Sequence, residues 1–356
     1  MITYKNSYFP GPTSVADEVL KKGLVNYGSA DVEVDFLELY KHAVEGLQTV
    51  YNSKSDVIIL TGEGMLALWG ALKSCLVKGD KVLCLSTGLF GSGTKPMAES
   101  IGCEVKLVEF GYDDTFSDYN VIEDAIRTFK PKMITAVQCE TPSGIMNDLS
   151  VIGKLKKQYD VPLLYVDSVA ALGGYPVNAD DNNIDLCLGG SQKALSVPPN
   201  SCFTTVSEKA WNIIDKVDYH GYDAFKDFRK VKETGYFPYT PSWVNVAQLA
   251  ASVDSLIHEG LDNVFKRHEE CAKRVRKCLK DKGIKLFPKD ESFSASTVTA
   301  AYIPEGYTWQ QWDKHLRDKG LVCGGNYGPL ADKVFRIGHM GTQAQLANVE
   351  HLCGLL

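Results

Sequence analysis

The sequence predicts an α/β fold built on a mainly parallel sheet flanked by helices, followed by a smaller α+β unit. Between residues 56 and 206, short apolar runs alternate with longer amphipathic stretches, which is the pattern of strands joined by helices. Pro131 and Pro162 directly precede apolar runs, where a helix ends and a strand begins. Beyond residue 241 the pattern changes to one long amphipathic run and then to alternating short segments, which indicates the second unit.

The predicted strands are apolar runs that have turn residues at their ends. They cover residues 57–60, 81–85, 104–110, 133–137, 163–166, 186–188 and 202–206. Parallel strands need crossover connections of a dozen or more residues, usually helices. The stretches at 65–76, 96–101, 121–129 and 149–159 supply them.

The C-terminal part begins with a periodic run at 245–282 that predicts one long helix or two. The segments that follow predict strand, helix, strand and helix at 296–302, 308–319, 334–337 and 343–355. We therefore predict an N-terminal segment at 1–15, a large domain at 16–241, and a linker helix with a small C-terminal domain at 242–356.

Composition excludes several classes of protein. The chain has 356 residues, 44% of them hydrophobic and 23% charged, which is ordinary for a folded protein of about two domains. Its 38 basic and 44 acidic residues give a net charge of −6 without a basic cluster, which argues against a nucleic-acid partner. No apolar stretch predicts a signal peptide or a membrane span. Ten cysteines are scattered without the close pairing of a zinc site, so we predict no metal and a cytoplasmic location.

Three local features carry chemistry. In the turn Gly62-Glu63-Gly64, between a predicted strand and a helix, the free amides of Gly64 and Met65 would hold a phosphate. Turns of this kind also use glycine for purely conformational reasons. Asp167 ends an apolar strand, where parallel sheets place ligand sites, although a helix cap would use the same residue.

Lys193 follows the next predicted strand, in the run GGSQKAL at 189–195. A lysine by itself is ordinarily an exposed surface residue. Together with Asp167 and the turn at Gly64, however, it suits pyridoxal phosphate (PLP). A lysine forms the Schiff base with this cofactor, and an aspartate keeps the ring nitrogen protonated.

Seven motifs along nearly the whole chain strengthen this interpretation. They are FPGPT at 9–13, LTGEG at 60–64, CETPSG at 139–144, VDSVAALGG at 166–174, SQKAL at 191–195, PYTP at 238–241 and FRIGHMG at 335–341. In this order the chain resembles the class V group of fold-type I PLP aminotransferases, which includes the alanine-glyoxylate, serine-pyruvate and 2-aminoethylphosphonate enzymes.

The resemblance implies a role for each matching residue. Lys193 would be the Schiff-base lysine, Asp167 the partner of the ring nitrogen, and Arg336 the guanidinium fork that binds the substrate carboxylate. Further cofactor contacts would come from Gly64, Met65, Phe90, Thr141, Val169 and Gln192. In the family, residues at the positions of Tyr239 and Thr240 reach the phosphate of the neighbouring subunit, which implies a homodimer.

The chain also departs from the family pattern. Glu63 stands where small hydroxyl residues are common, and an acid near a phosphate is repelled unless it turns away or pairs with a cation. Residues 28–31 (GSAD) lack the His-Arg pair that several relatives carry near the substrate pocket. His339, close to Arg336, either touches the site or is a buried histidine satisfied by backbone groups.

The resemblance implies a PLP-dependent aminotransferase. It would move an amino group from a small amino donor such as alanine or serine to a 2-oxo acid such as glyoxylate or pyruvate, in ping-pong fashion. One alternative is a PLP-dependent lyase such as a cysteine desulfurase, for which Cys323 is the candidate catalytic cysteine. Another is a non-catalytic PLP-binding protein, which would have no need for Arg336. No membrane partner is expected.

Overall fold

The computed structural model describes residues 7–356, so residues 1–6 of the predicted N-terminal segment lie outside the described range. The strands are β1 (Ser7–Tyr8), β2 (Asp56–Thr61), β3 (Lys81–Ser86), β4 (Glu104–Glu109), β5 (Met133–Val137), β6 (Cys139–Glu140), β7 (Ile145–Met146), β8 (Leu163–Asp167), β9 (Leu186–Gly190), β10 (Ser201–Val206), β11 (Val298–Tyr302), β12 (Val322–Cys323) and β13 (Val334–Gly338). The helices are α1 (Asp17–Lys22), α2 (Val34–Tyr51), α3 (Gly64–Cys75), α4 (Leu89–Ile101), α5 (Tyr119–Phe129), α6 (Ser150–Gln158), α7 (Glu208–Val217), α8 (Val231–Thr234), α9 (Trp243–Glu259), α10 (Leu261–Asp281), α11 (Trp309–Asp318) and α12 (Leu346–Leu355).

A seven-stranded sheet in the order β2-β10-β9-β8-β5-β3-β4 forms the centre of the molecule. The predicted α/β class and the seven predicted strands are confirmed. Five neighbouring strands, β4, β3, β5, β8 and β9, pair in parallel, whereas β10 runs antiparallel to both β9 and β2. The reversal of β10 follows from its connection, because residues 191–200 contain no helix that could carry the chain back across the sheet.

Both faces of the sheet are buried, as strand patterns of this kind require. Along β2, Val57 and Ile59 pack into the core beneath α2, α5, α6 and α9, while Ile58 and Leu60 pack into the core beneath α3, α4 and α7. Each helix layer therefore takes alternate residues of the same strand. Because the faces are covered, ligands approach the sheet at its ends.

The observed helices differ from the predicted ones in two ways. Helix α4 begins at Leu89, seven residues before the start predicted at 96, so Pro96 lies inside the helix. The N-terminus of α4 is held by Glu140, a residue distant in sequence. Helices α1, α2, α7 and α8 had no counterpart in the prediction.

The C-terminal unit contains the antiparallel pair β11 and β13, covered by α10, α11 and α12. The N-terminal strand β1 joins it by pairing in parallel with β12. Helix α9 packs on α2 and contributes Leu249 and Val253 to the core of the large sheet. The helix ends before Gly260, whose φ is +85°, and α10 begins directly after that glycine. The predicted long run is thus two helices; the domain boundary at residue 241 stays a prediction.

None of the helices within residues 7–356 is both long and apolar enough to span a bilayer. The same residues contain no group of three or more metal-binding side chains placed to hold an ion. All ten cysteines are buried free thiols.

Candidate active site

Most of the predicted cofactor residues meet in one cavity at the carboxyl ends of β8 and β9. The cavity is lined by Glu63, Gly64, Met65, Leu68, Phe90, Cys139, Thr141, Asp167, Val169, Ala170, Gln192 and Lys193. The carboxyl ends of neighbouring parallel strands share one edge of a sheet, so residues far apart in sequence converge there. The N-termini of α3 and α4 face the same cavity. The residues missing from this lining are Tyr239, Thr240 and Arg336.

Lys193 lies in the loop after β9, and its Nζ donates a hydrogen bond to the carbonyl oxygen of Pro10 at 2.6 Å. Gly11 (φ +103°) makes this approach possible, because a Cβ at that position would lie 2.4 Å from Nζ. Lys193 forms no ion pair with any residue the structure describes. Burial, together with the positive charge of Arg336, lowers the pKa of Lys193 to about 8. A substantial fraction of the amine is therefore neutral near pH 7 to 8, as a nucleophile or base requires.

Asp167 is the last residue of β8, and its Oδ1 accepts a hydrogen bond from the Val169 amide at 2.9 Å. The residue is buried, and burial raises the pKa of its carboxyl to about 6, against the opposing effects of the Val169 amide and Lys193. A buried carboxylate whose charge is stabilised only by one amide and one nearby amine favours a protonated, cationic partner. The pyridinium nitrogen of PLP is a partner of that kind.

The start of α3 is where the sequence predicts the phosphate-binding amides. The amides of Gly64 and Met65 donate no hydrogen bond within residues 7–356. A Cβ on Gly64 would lie 3.1 Å from the Val169 side chain, so the glycine keeps this position open. Next to it, Oε1 of Gln192 is buried without a hydrogen-bond partner. Free amides at a helix N-terminus fit a phosphorylated ligand, whereas the Gln192 oxygen could only accept a hydrogen bond from a donor.

Glu140 is a residue of this site to which sequence analysis assigned no role. It is 0% exposed, and its carboxylate accepts hydrogen bonds from the amides of Gly91 at 2.6 Å and Phe90 at 3.2 Å. These bonds hold the N-terminus of α4 and thereby set the position of the Phe90 ring. Gly88 makes room for the carboxylate, since a Cβ there would lie 2.7 Å from Glu140 Cδ. Only its place in the CETPSG motif pointed to it.

Arg336 lies on β13, is 9% exposed, and has its guanidinium 5.0 Å from the centre of the Tyr327 ring. Its Nε donates to the carbonyl oxygen of Gly325 at 2.8 Å. No acidic side chain in the described part of the chain forms an ion pair with it. Its charge acts on Lys193, so the two cations are close in space. The internal salt bridge that would make Arg336 purely structural is not seen among these residues.

Tyr239 and Thr240 lie elsewhere, just before α9. They line a separate cavity together with Thr61 and Ser201, and Lys193 is not part of its lining. Tyr239 is 40% exposed. Within one chain, therefore, these two residues do not contribute to the Lys193 cavity.

The surroundings of two further candidates, His339 and Cys323, indicate structural roles. His339 is fully buried, with Nδ1 2.9 Å from the carbonyl oxygen of Ser296 and Nε2 2.8 Å from Thr299 Oγ1, and burial lowers its pKa to about 3. This supports the interpretation of a satisfied core histidine. Cys323 is buried in β12, where burial raises the pKa of its thiol far above the ordinary range. A mobile nucleophilic thiol has the opposite properties.

Comparison with known proteins decides the family. Residues 13–323 match the family model described as aminotransferase class-V. The chain belongs to the class V aminotransferases. It is 32% identical to a serine–glyoxylate aminotransferase from Methylorubrum extorquens, over 98% of this chain and 89% of that protein.

Solved structures of other class V aminotransferases agree over the full length. A ureidoglycine–glyoxylate aminotransferase from Bacillus subtilis superposes with a TM-score of 0.95 at 27% identity, covering 100% of this chain and 92% of the other. A pyridoxamine–pyruvate aminotransferase from Mesorhizobium loti superposes with a TM-score of 0.92 at 26% identity, covering 99% and 93%. These neighbours confirm fold type I.

The protein is accordingly a transaminase of a PLP-dependent family. The residues around Lys193 fit PLP in this class V aminotransferase, since the free amides of Gly64 and Met65 can donate to its phosphate and the buried carboxylate of Asp167 can accept from its protonated ring nitrogen. When bound, PLP supplies an electron sink for the charge that develops on the substrate α-carbon.

Glu140 gives a testable pH dependence. Burial raises the pKa of its carboxyl from 4.5 to about 7, although the amides of Gly91 and Phe90 oppose the shift. The folded protein thus binds this proton more tightly than the unfolded chain, and the free energy of unfolding falls as pH rises from about 4.5 to about 7. In cofactor-free protein, we expect Glu140→Gln to reduce the fall in melting temperature between pH 5 and pH 7.5. An identical pH dependence in both proteins would contradict the burial of an ionisable group here.

Proposed function

We propose that this class V aminotransferase moves an amino group from a small amino donor, such as alanine or serine, to a 2-oxo acid such as glyoxylate or pyruvate by a ping-pong mechanism. The substrate classes are supported by the names of its relatives, which act on serine and glyoxylate, ureidoglycine and glyoxylate, and pyridoxamine and pyruvate. The observation that carries the proposal is the cavity shared by Lys193 and Asp167, with Arg336 close enough to lower the pKa of the lysine.

In this proposal Lys193 has two tasks. It attaches the cofactor covalently and, once an amino donor has displaced it, moves the proton between the substrate α-carbon and the cofactor. A pKa near 8 suits both tasks, because the same amine must lose and regain a proton at the working pH. Asp167 holds the proton on the ring nitrogen, and its buried carboxylate has no other cationic partner than Lys193 among its electrostatic neighbours.

Arg336 binds the substrate carboxylate in this proposal. A guanidinium presents a planar fork that matches a carboxylate, and this one has no acidic partner within residues 7–356 to displace. Its backbone bond to Gly325 and its contact with Tyr327 restrict its orientation before substrate arrives.

We further propose a homodimer with composite sites, in which Tyr239 and Thr240 reach the phosphate bound by the neighbouring subunit. Their exposure outside the Lys193 cavity of their own chain supports this arrangement. The segment between α1 and α2 and the first residue of α2 also expose large apolar side chains, among them Leu24 at 86%, Val32 at 74% and Val34 at 71%. Several exposed apolar side chains within one short stretch of chain are compatible with an interface, and small oligomers are usually twofold symmetric.

Mixed dimers test the shared site. A dimer of one Lys193→Ala chain and one Thr240→Ala chain contains one site with both defects and one intact site, if Thr240 acts across the interface. We expect this mixed dimer to recover about half the wild-type activity, while each homodimeric variant has little. Activity no higher than that of the Thr240→Ala homodimer would place Thr240 in its own subunit's site.

The substrate proposal is tested by a screen of amino donors against glyoxylate and pyruvate, followed by absorption spectra of the cofactor. We expect conversion of the cofactor to its amine form by the true donor alone, and its reversal by the 2-oxo acid. Release of sulfide from cysteine without an oxo acid would favour a desulfurase, and no conversion with any amino acid would favour a non-catalytic binder. A cytoplasmic location is part of the proposal, since ten free buried thiols suit a reducing compartment.

A further inference from the structure

The carboxylate of Glu63 lies in the cavity where the cofactor phosphate is expected. Glu63 directly precedes α3, with an extended backbone (φ −89°, ψ 174°), and its side chain does not cap the helix. The carboxylate instead accepts a hydrogen bond from Gln192 Nε2 at 3.2 Å. It therefore stands beside the free amides of Gly64 and Met65 rather than turning out to solvent.

No cation neutralises Glu63 in the part of the chain that the structure describes, where it forms no ion pair. The ionisable groups that interact with it are Asp167 on β8, Lys193 after β9 and the thiol of Cys202 on β10. Lys193 is the one cation among them, and its amine is the group that attaches the cofactor in the proposed function. Glu63 thus has no ion-pair partner of its own at a position where an anion is expected to bind.

A phosphate monoester carries a charge of about −1.5 to −2 at pH 7, with a second pKa of about 6. Placed against a carboxylate, such a group is repelled unless one of the two carries a proton. Gln192 restrains Glu63 by its amide group, while the other polar atom of that side chain, Oε1, has no partner. Two acidic groups can share one proton, with a phosphate O–H donating to the carboxylate.

We propose that Glu63 is a selectivity residue of the cofactor site: it excludes the doubly charged phosphate ester, so that PLP enters only with one proton shared between its phosphate and Glu63. The inference rests on the proposed assignment of this cavity to the cofactor. Pyridoxal, which has a neutral hydroxymethyl group in place of the phosphate ester, needs no such proton. Glu63 therefore makes the preference for PLP over pyridoxal depend on pH.

The test measures dissociation constants of PLP and pyridoxal for cofactor-free wild type, Glu63→Gln and Glu63→Ser between pH 6.5 and 8.5. Taking the ratio of the two constants cancels the proton exchanges at Lys193 and the ring nitrogen, because both ligands share them. We expect the wild-type preference for PLP to fall by up to about tenfold per pH unit, as uptake of one proton requires. In both variants the ratio should be nearly independent of pH and favour PLP more strongly at pH 8.5.

Phosphorus NMR of bound PLP gives a second readout that does not depend on activity. The wild-type signal should be that of a protonated phosphate at a pH where the signal in Glu63→Gln is that of the dianion. Glu305→Gln, at an exposed position in the small unit, is the matched control and should behave as wild type. Melting curves confirm that each variant is folded.

The two proposals fail in different ways. If neither PLP nor pyridoxal bound to any of the folded proteins, the assignment of this cavity to the cofactor would be wrong. Normal binding with the same ratio and the same pH dependence in wild type and Glu63→Gln would overturn the role of Glu63 alone. A dianionic phosphate in the wild-type NMR spectrum, together with a ratio that does not change with pH, would overturn it as well.

Discussion

Replacing Lys193 by alanine is expected to lower the rate of transamination by about a thousandfold or more. Proton transfer by a positioned side chain contributes about 10²–10⁴-fold by itself, and the variant also loses covalent attachment of the cofactor. Among residues 7–356, no second lysine that could take over either task lines the Lys193 cavity. Single-turnover conversion of the cofactor by an amino donor, followed by absorption, measures the effect without interference from the second half-reaction.

Borohydride reduction and peptide mapping of the wild-type protein provide the complementary result, with the pyridoxyl group on Lys193. Lys216→Ala, which removes an exposed lysine on α7, is the matched control and should keep full activity. Labelling of another lysine, or near wild-type turnover in Lys193→Ala, would show that this cavity is not where the chemistry occurs.

Replacing Arg336 by alanine is expected to reduce kcat/KM for carboxylate substrates by a factor of about thirty or more. Truncating one partner of a buried, hydrogen-bonded charge pair costs about 2 to 5 kcal/mol, and here the pair forms with the substrate. Arg336→Lys keeps the charge but loses the planar fork, so it should restore only part of the activity. Because the guanidinium has no acidic partner in residues 7–356, the melting temperature should change little in either variant.

Steady-state kinetics with several amino acids, alongside cofactor occupancy and a melting curve, separate the two roles open to Arg336. A variant that melts early but keeps kcat/KM would make the residue structural and place the carboxylate elsewhere. A loss confined to kcat/KM, with occupancy unchanged, would support direct contact with the substrate.

Local sequence patterns were sufficient to predict the strands of the sheet. Most strands of the seven-stranded sheet are apolar runs closed by glycine, proline or polar residues, and such runs predict strands because both faces of this sheet are buried. Helix α2 was not predicted, although its residues Phe36, Tyr40, Val44 and Leu47 form an apolar stripe at helical spacing. The stripe lies before the first predicted strand, outside the alternating region at 56–206 from which the crossover helices were predicted.

The sequence by itself determined the sheet strands, the family, and the placing of Asp167 and Lys193 at strand ends, because these depend on patterns within a few residues. The tertiary structure alone decided the features that depend on contacts between distant residues. One such feature is the antiparallel direction of β10, and another is the hydrogen bonding of the α4 N-terminus to Glu140. A third is the hydrogen bond from Lys193 to Pro10, which joins residues 183 positions apart. Their physical reason is shared: a buried amide, carboxylate or amine must find a partner, and which distant group supplies it is settled only when the chain packs.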